Sequence, residues 1–102
     1  MKKILLVEDD EFFRAAVKSI LASKYEIMEA SNGRVAQELI MMSTPDLVIS
    51  DIQMPHFSGI ELLEWIQAKQ QQVPVILMTG FSEILETTKA HQMGAKDFIP
   101  KP

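Results

Sequence analysis

The chain contains no cysteine, which excludes disulfides and thiolate metal centres and fits a reducing compartment such as the cytoplasm. It has no cluster of lysine and arginine, and its formal net charge is -4. Nothing therefore matches a phosphate backbone, and direct binding to nucleic acid is not expected. A basic partner face or a cation suits this charge better. Long hydrophobic runs are absent too. Lys2 and Lys3 precede only Ile4 to Val7 before Glu8 interrupts, short of the roughly 7–15 apolar residues of a signal-peptide core. No later run approaches the roughly 18 residues of a membrane-crossing helix. A soluble protein without membrane insertion is expected.

What is present is the composition of an ordinary globule, 47% hydrophobic and 24% charged. At 102 residues it is read as one domain, 1–102, since a second core would be too small. Ile4 to Val7 forms a continuous apolar run that stops at Glu8-Asp9-Asp10, as a strand buried on both faces would. Phe12, Phe13, Ala16, Val17, Ile20 and Leu21 then recur at helical spacing, with Arg14, Lys18 and Ser19 between them and Asp10 as a cap. Glu26 to Ala30 reads as a second strand, Ser31-Asn32-Gly33 as a turn, and Val35, Ala36, Leu39 and Ile40 as the stripe of a second helix. Leu47 to Ile49 is a third strand ending at Ser50-Asp51. A loop from Met54 to Gly59 leads to a third helix carrying Ile60, Leu62, Leu63 and Ile66. Val73 to Met78 gives a fourth strand, Ser82 to Met93 a fourth helix left at Gly94, and Asp97 to Ile99 a fifth strand.

Strict alternation with short connections implies a doubly wound α/β domain, a parallel five-stranded sheet with helices on both faces. Ligands of such sheets gather beyond the carboxyl ends of the strands. That edge receives Glu8, Asp9 and Asp10 after strand 1, Asp51 after strand 3, Thr79 after strand 4 and Lys101 after strand 5. Clustered carboxylates repel one another unless a cation offsets their charge. Magnesium suits an oxygen-donor set completed by water and phosphate, whereas calcium takes a fuller cage. Such a cation makes phosphoryl chemistry feasible, with Asp51 as nucleophile and Thr79 and Lys101 placed to stabilise phosphoryl oxygens.

Glu8-Asp9, Asp51-Ile52-Gln53-Met54-Pro55 with Gly59, Thr79-Gly80 and Lys101-Pro102 together resemble the signature of response-regulator receiver domains over nearly the whole chain. The resemblance implies a flavodoxin-like topology with strand order 2-1-3-4-5. It implies that Asp51 accepts a phosphoryl group, Asp9 binds Mg2+ directly, Glu8 binds it through water, and the Gln53 carbonyl is a further ligand. Thr79 and Lys101 match the family's hydroxyl and lysine, Phe98 its aromatic switch, and Gly80 a position kept small. The expected donor is a histidine kinase or phosphotransfer protein. The domain would catalyse only its own phosphorylation and dephosphorylation and would not be an enzyme in the usual sense. The Lys101-Pro102 bond resembles one that is cis in the family.

Taken singly, each residue has a plainer reading. Asp10 serves as an N-cap or shares in metal binding, Thr79 caps, and Lys101 is a surface lysine. His56 and His91 are expected to be solvated, Trp65 to sit at the margin of the third helix's apolar face, and methionines such as Met41-Met42 to fill gaps. A haloacid-dehalogenase type hydrolase resembles Asp-x-Asp after a strand, but position 53 is Gln. A flavin carrier needs hydroxyls or glycines where this chain has Glu8 to Asp10. The remaining alternative is a phosphorylation-independent interaction module of the same fold. Receivers resemble five strands and five helices, so the final helix is expected to be missing and any output domain to lie beyond residue 102. The apolar sheet face beside helix 1 would then be left uncovered, with lowered stability or self-association as the consequence.

Overall fold

The computed structural model describes residues 1–54, 57–69, 72–79 and 94–100. In chain order these form β1 (Lys3–Val7), α1 (Glu11–Leu21), β2 (Glu26–Ala30), α2 (Gly33–Met42), β3 (Leu47–Asp51), α3 (Gly59–Ala68), β4 (Val75–Thr79) and β5 (Asp97–Pro100). All strand pairs are parallel, in the order β2-β1-β3-β4-β5. The expected fold class and strand order are thus observed. The helix expected over Ser82 to Met93 and the Lys101-Pro102 bond lie outside the described residues.

Alternation along the strands divides the core into two layers. Leu5, Val7, Val48 and Leu77 pack with Ala36 and Ile40 of α2 and Leu62, Leu63 and Ile66 of α3. Ile4, Leu6, Ile49 and Met78 pack with Phe13, Val17 and Leu21 of α1. Because the sheet is buried on both sides, its central strands tolerate apolar residues at every position.

Each described helix begins where a side chain satisfies otherwise orphaned amides. Asp10 accepts from the amides of Phe12 and Phe13 at 2.9 and 3.1 Å. Asn32 accepts from Val35 at 2.9 Å. Ser58 and Glu61 form a reciprocal capping box.

Several details depart from the sequence reading. Gly33 is the first residue of α2 and not part of a preceding turn, because Asn32 supplies the cap. Strand 4 starts at Val75, two residues later than expected. Pro74 has no amide to donate, although its carbonyl accepts from Val48 at 3.0 Å. On α1 the apolar stripe is narrower than the periodicity suggested: Phe13, Val17 and Leu21 reach the sheet, while Phe12 is 90% and Ile20 75% exposed. One row of a helix at this spacing contacts the sheet, and the neighbouring row, turned by about 100° per residue, faces away. Met41 and Met42 are exposed and fill no core gap. Trp65 is partly buried at the edge of the larger core, as expected.

Among the described residues α1 alone packs on its side of the sheet, beside a groove of about 390 Å³ lined by Ile4, Leu21, Tyr25, Leu47 and Ile49. Leu62 is fully buried, whereas Ile20 projects from the opposite layer. Leu62→Ala is therefore expected to lower unfolding free energy by about 2–5 kcal/mol, and Ile20→Ala to change it by no more than about 0.5 kcal/mol. Urea denaturation of the two variants measures both.

Candidate functional site

The β1–β3 register sets Val7 level with Ser50, so the next residue of each strand, Glu8 and Asp51, emerges side by side at the carboxyl edge. Both are buried, Glu8 at 0% and Asp51 at 4% exposure, while Asp9 is exposed. One carboxylate oxygen from each of Glu8, Asp9 and Asp51 lies within 4.8 Å of the others. Burying ionised carboxylates this close together is costly without compensation. Some of it is local. The Asp10 amide donates to Glu8 Oε2 at 3.0 Å, and the Gln53 amide lies 3.4 Å from Asp51 Oδ1. Three oxygen donors, two of them sheltered, match the hard-cation preference for carboxylate and carbonyl ligands. They offer nothing to a soft metal.

The turn after β3 is shaped by close approach. The Gly59 amide donates to the Ile52 carbonyl at 2.8 Å, and a Cβ at Gly59 would overlap the backbone carbonyl of Asp51. The start of α3 therefore rests directly on the peptide of the buried aspartate. Ser50, also buried, donates from Oγ to the Asp51 carbonyl at 2.9 Å.

Of the residues singled out in the sequence, Glu8, Asp9 and Asp51 converge. Gln53 follows on the exposed side of the same turn. Asp10 caps α1 and stands outside the carboxylate cluster. Thr79 closes β4, where the β3–β4 register sets Asp51 level with the preceding Met78. Phe98 lies in β5, level with Leu77. Lys101, Gly80, Pro55, His56 and His91 lie outside the described residues.

Residues 4–102 match the model of the response regulator receiver domain family. The chain belongs to this family. Receiver domains are signalling modules of two-component systems, and this one has the expected acidic cluster. It is 38% identical over 101 residues to a histidine kinase of Formosa agariphila, covering 97% of this chain and 7% of that protein. It is 35% identical over 103 residues to the regulatory protein AtoC of Escherichia coli, covering 100% of this chain and 22% of that protein. The receiver thus spans less than a quarter of either relative. Among solved structures, a response regulator receiver domain protein from Clostridium thermocellum superposes with a TM-score of 0.94 at 27% identity, covering 100% of this chain and 83% of that one. No helix among the described residues is long and apolar enough to cross a membrane.

One contact beside the acidic cluster was not legible in the sequence. Arg14, read there only as part of the polar face of α1, donates from Nη1 to the Glu8 carbonyl at 2.7 Å. Its Nε and Lys18 Nζ reach Glu29 at 3.3 and 2.9 Å. The hydrogen bond from Lys18, helped by the charges of Lys18 and Arg14 and opposed by partial burial, holds the Glu29 carboxyl below its ordinary value of 4.5. A depressed folded-state pKa stabilises the fold above the unfolded-state value, and that contribution is lost as pH falls through the folded-state value. Glu29→Gln is accordingly expected to lower the urea midpoint at neutral pH. The gap between variant and parent should close on acidification below 4.5 and shrink in high salt.

Proposed function

We propose that this receiver accepts a phosphoryl group on Asp51 from the phosphohistidine of a partner histidine kinase or phosphotransfer protein. Asp9, Asp51 and the Gln53 carbonyl would hold Mg2+ beside it, with Glu8 acting through water. The observation that carries this reading is the convergence of three carboxylates, two of them buried, within 4.8 Å at the carboxyl edge of the central strands. A purely structural role for two sheltered acids beside a third has no evident benefit, since their mutual repulsion destabilises the fold.

An Asp51 carboxylate oxygen forms the new O–P bond as the P–N bond of the donor breaks, and the imidazole departs with that electron pair and takes up a proton. Bound Mg2+ supplies charge screening between the two anionic reactants. The Gly59 amide, donating to the Ile52 carbonyl at 2.8 Å, keeps the Asp51 turn in place during attack. Thr79 and Lys101 stabilise the phosphoryl oxygens, and water later attacks phosphorus, cleaving the acyl phosphate to inorganic phosphate and the free carboxylate. Thr79 and Phe98 serve as the switch pair. Their support is adjacency: β4 and β5 are paired so that Leu77 and Phe98, then Thr79 and Pro100, stand level. Movement of Thr79 towards the new dianion alters the space beside Phe98 and hence the surface read by a partner or output. A cytoplasmic location, with the output attached or separate, completes the reading.

The deciding experiment is the intact mass after incubation with acetyl phosphate. One phosphoryl group is expected on the parent protein with Mg2+, and none after chelation or in Asp51→Asn. A folded parent that remains unmodified would leave the phosphorylation-independent module as the better reading. Thr79→Ala is expected to slow uptake on the order of a hundredfold, as for loss of a pre-positioned donor, with its urea midpoint little changed.

A further inference from the structure

The carbonyl of Glu8 belongs to the peptide that joins Glu8 to Asp9, so whatever binds it sets the plane from which both acids project. Arg14 closes the first turn of α1 and donates to that carbonyl at 2.7 Å. Its side chain is only 17% exposed. The same guanidinium reaches Glu29 through Nε at 3.3 Å, and Glu29 stands in β2 level with Leu6 of β1. The β2 edge is itself bound to the turn, since the Glu8 amide donates to the Ala30 carbonyl at 3.0 Å. A planar guanidinium can serve two acceptors in one fixed fork, which an ammonium cannot reproduce.

We propose that Arg14, oriented by Glu29, is a positioning residue for the metal site. It locks the Glu8–Asp9 peptide so that both carboxylates are presented towards Asp51 before a cation arrives, against the mutual repulsion that would splay them. The inference rests on the functional reading above. It makes a prediction opposite in sign to simple electrostatics: a nearby positive charge repels Mg2+, so removing it should tighten binding if charge is all that matters. If positioning dominates, removal weakens binding.

The test is titration of the full chain with Mg2+, followed by calorimetry and by the amide resonances of Asp9 and Asp10, below the melting temperature of every variant. Arg14→Gln is expected to raise the Kd by about tenfold, the scale on which orienting partners of metal ligands act, with Arg14→Lys and Glu29→Gln in between. The Mg2+ concentration giving half-maximal phosphorylation by acetyl phosphate should rise in parallel, while the rate at saturating Mg2+ stays within about twofold of the parent. Lys18→Gln removes an ion pair to the same Glu29 without touching the Glu8 carbonyl, and should leave the Kd within about twofold. Unchanged or tighter Mg2+ binding in folded Arg14→Gln overturns the inference, as does an effect of Lys18→Gln equal to that of Arg14→Gln. A folded parent that binds no Mg2+ overturns the functional reading itself, and this inference with it. A parent that binds Mg2+ alongside variants that bind it equally overturns the inference alone.

Discussion

The β1–β3 pairing governs everything at the candidate site. Two parallel strands in a single register, Val7 beside Ser50, deliver two carboxylates to one point as they leave the sheet. The packing that fixes the register comes from below: Leu5, Val7 and Val48 are fitted to the layer of α2 and α3 and Leu6 and Ile49 to that of α1, and a slip of one residue would exchange the two sets. Hydrophobic packing thus holds together groups that repel each other. The repulsion is tempered by backbone amides at Asp10 and Gln53 and, in the proposed function, by a divalent cation.

The turns after those strands are as tightly specified as the strands themselves. Asp10 caps α1 immediately after the acidic run, so the residue that ends the cluster also starts the next helix. On the other side Gly59 brings α3 onto the carbonyl of Asp51, where a side chain would not fit, and the Ser58–Glu61 box fixes where that helix begins. Local capping and close backbone contact explain how an exposed edge can hold a rigid arrangement of charged groups. The Arg14–Glu29–Lys18 group extends this support to β2.

Much of this was legible because the signals were local or periodic. Apolar runs ending abruptly in acids marked β1 and β3, and the start of the first helix followed from Asp10, whereas the Ser58 cap of α3 was read only as part of a loop. Residues at the ends of different strands could be assigned to one edge because parallel topology puts all carboxyl ends together. The misreadings occurred where burial depends on a partner surface. Phe12 and Ile20 have the same chemistry as Phe13 and Leu21 but lie on the row turned from the sheet. Pro74 looked like part of a β run, although it lacks the amide a strand requires. Arg14 looked like any solvated helix residue, since its acceptors, the Glu8 carbonyl and Glu29, come from other elements.

The sequence by itself determined the order and type of the described elements, the acids and hydroxyl available at the strand ends, and membership of the receiver family, because these depend on residue type, spacing and motif. Only the tertiary structure decided that Glu8 and Asp51 are buried while Asp9 is exposed, that Asp10 caps and does not join the cluster, and that a guanidinium from α1 donates to the carbonyl between two of the acids. Those are properties of distance and solvent exclusion, set by how strands far apart in the chain pair and by which row of each helix meets the sheet.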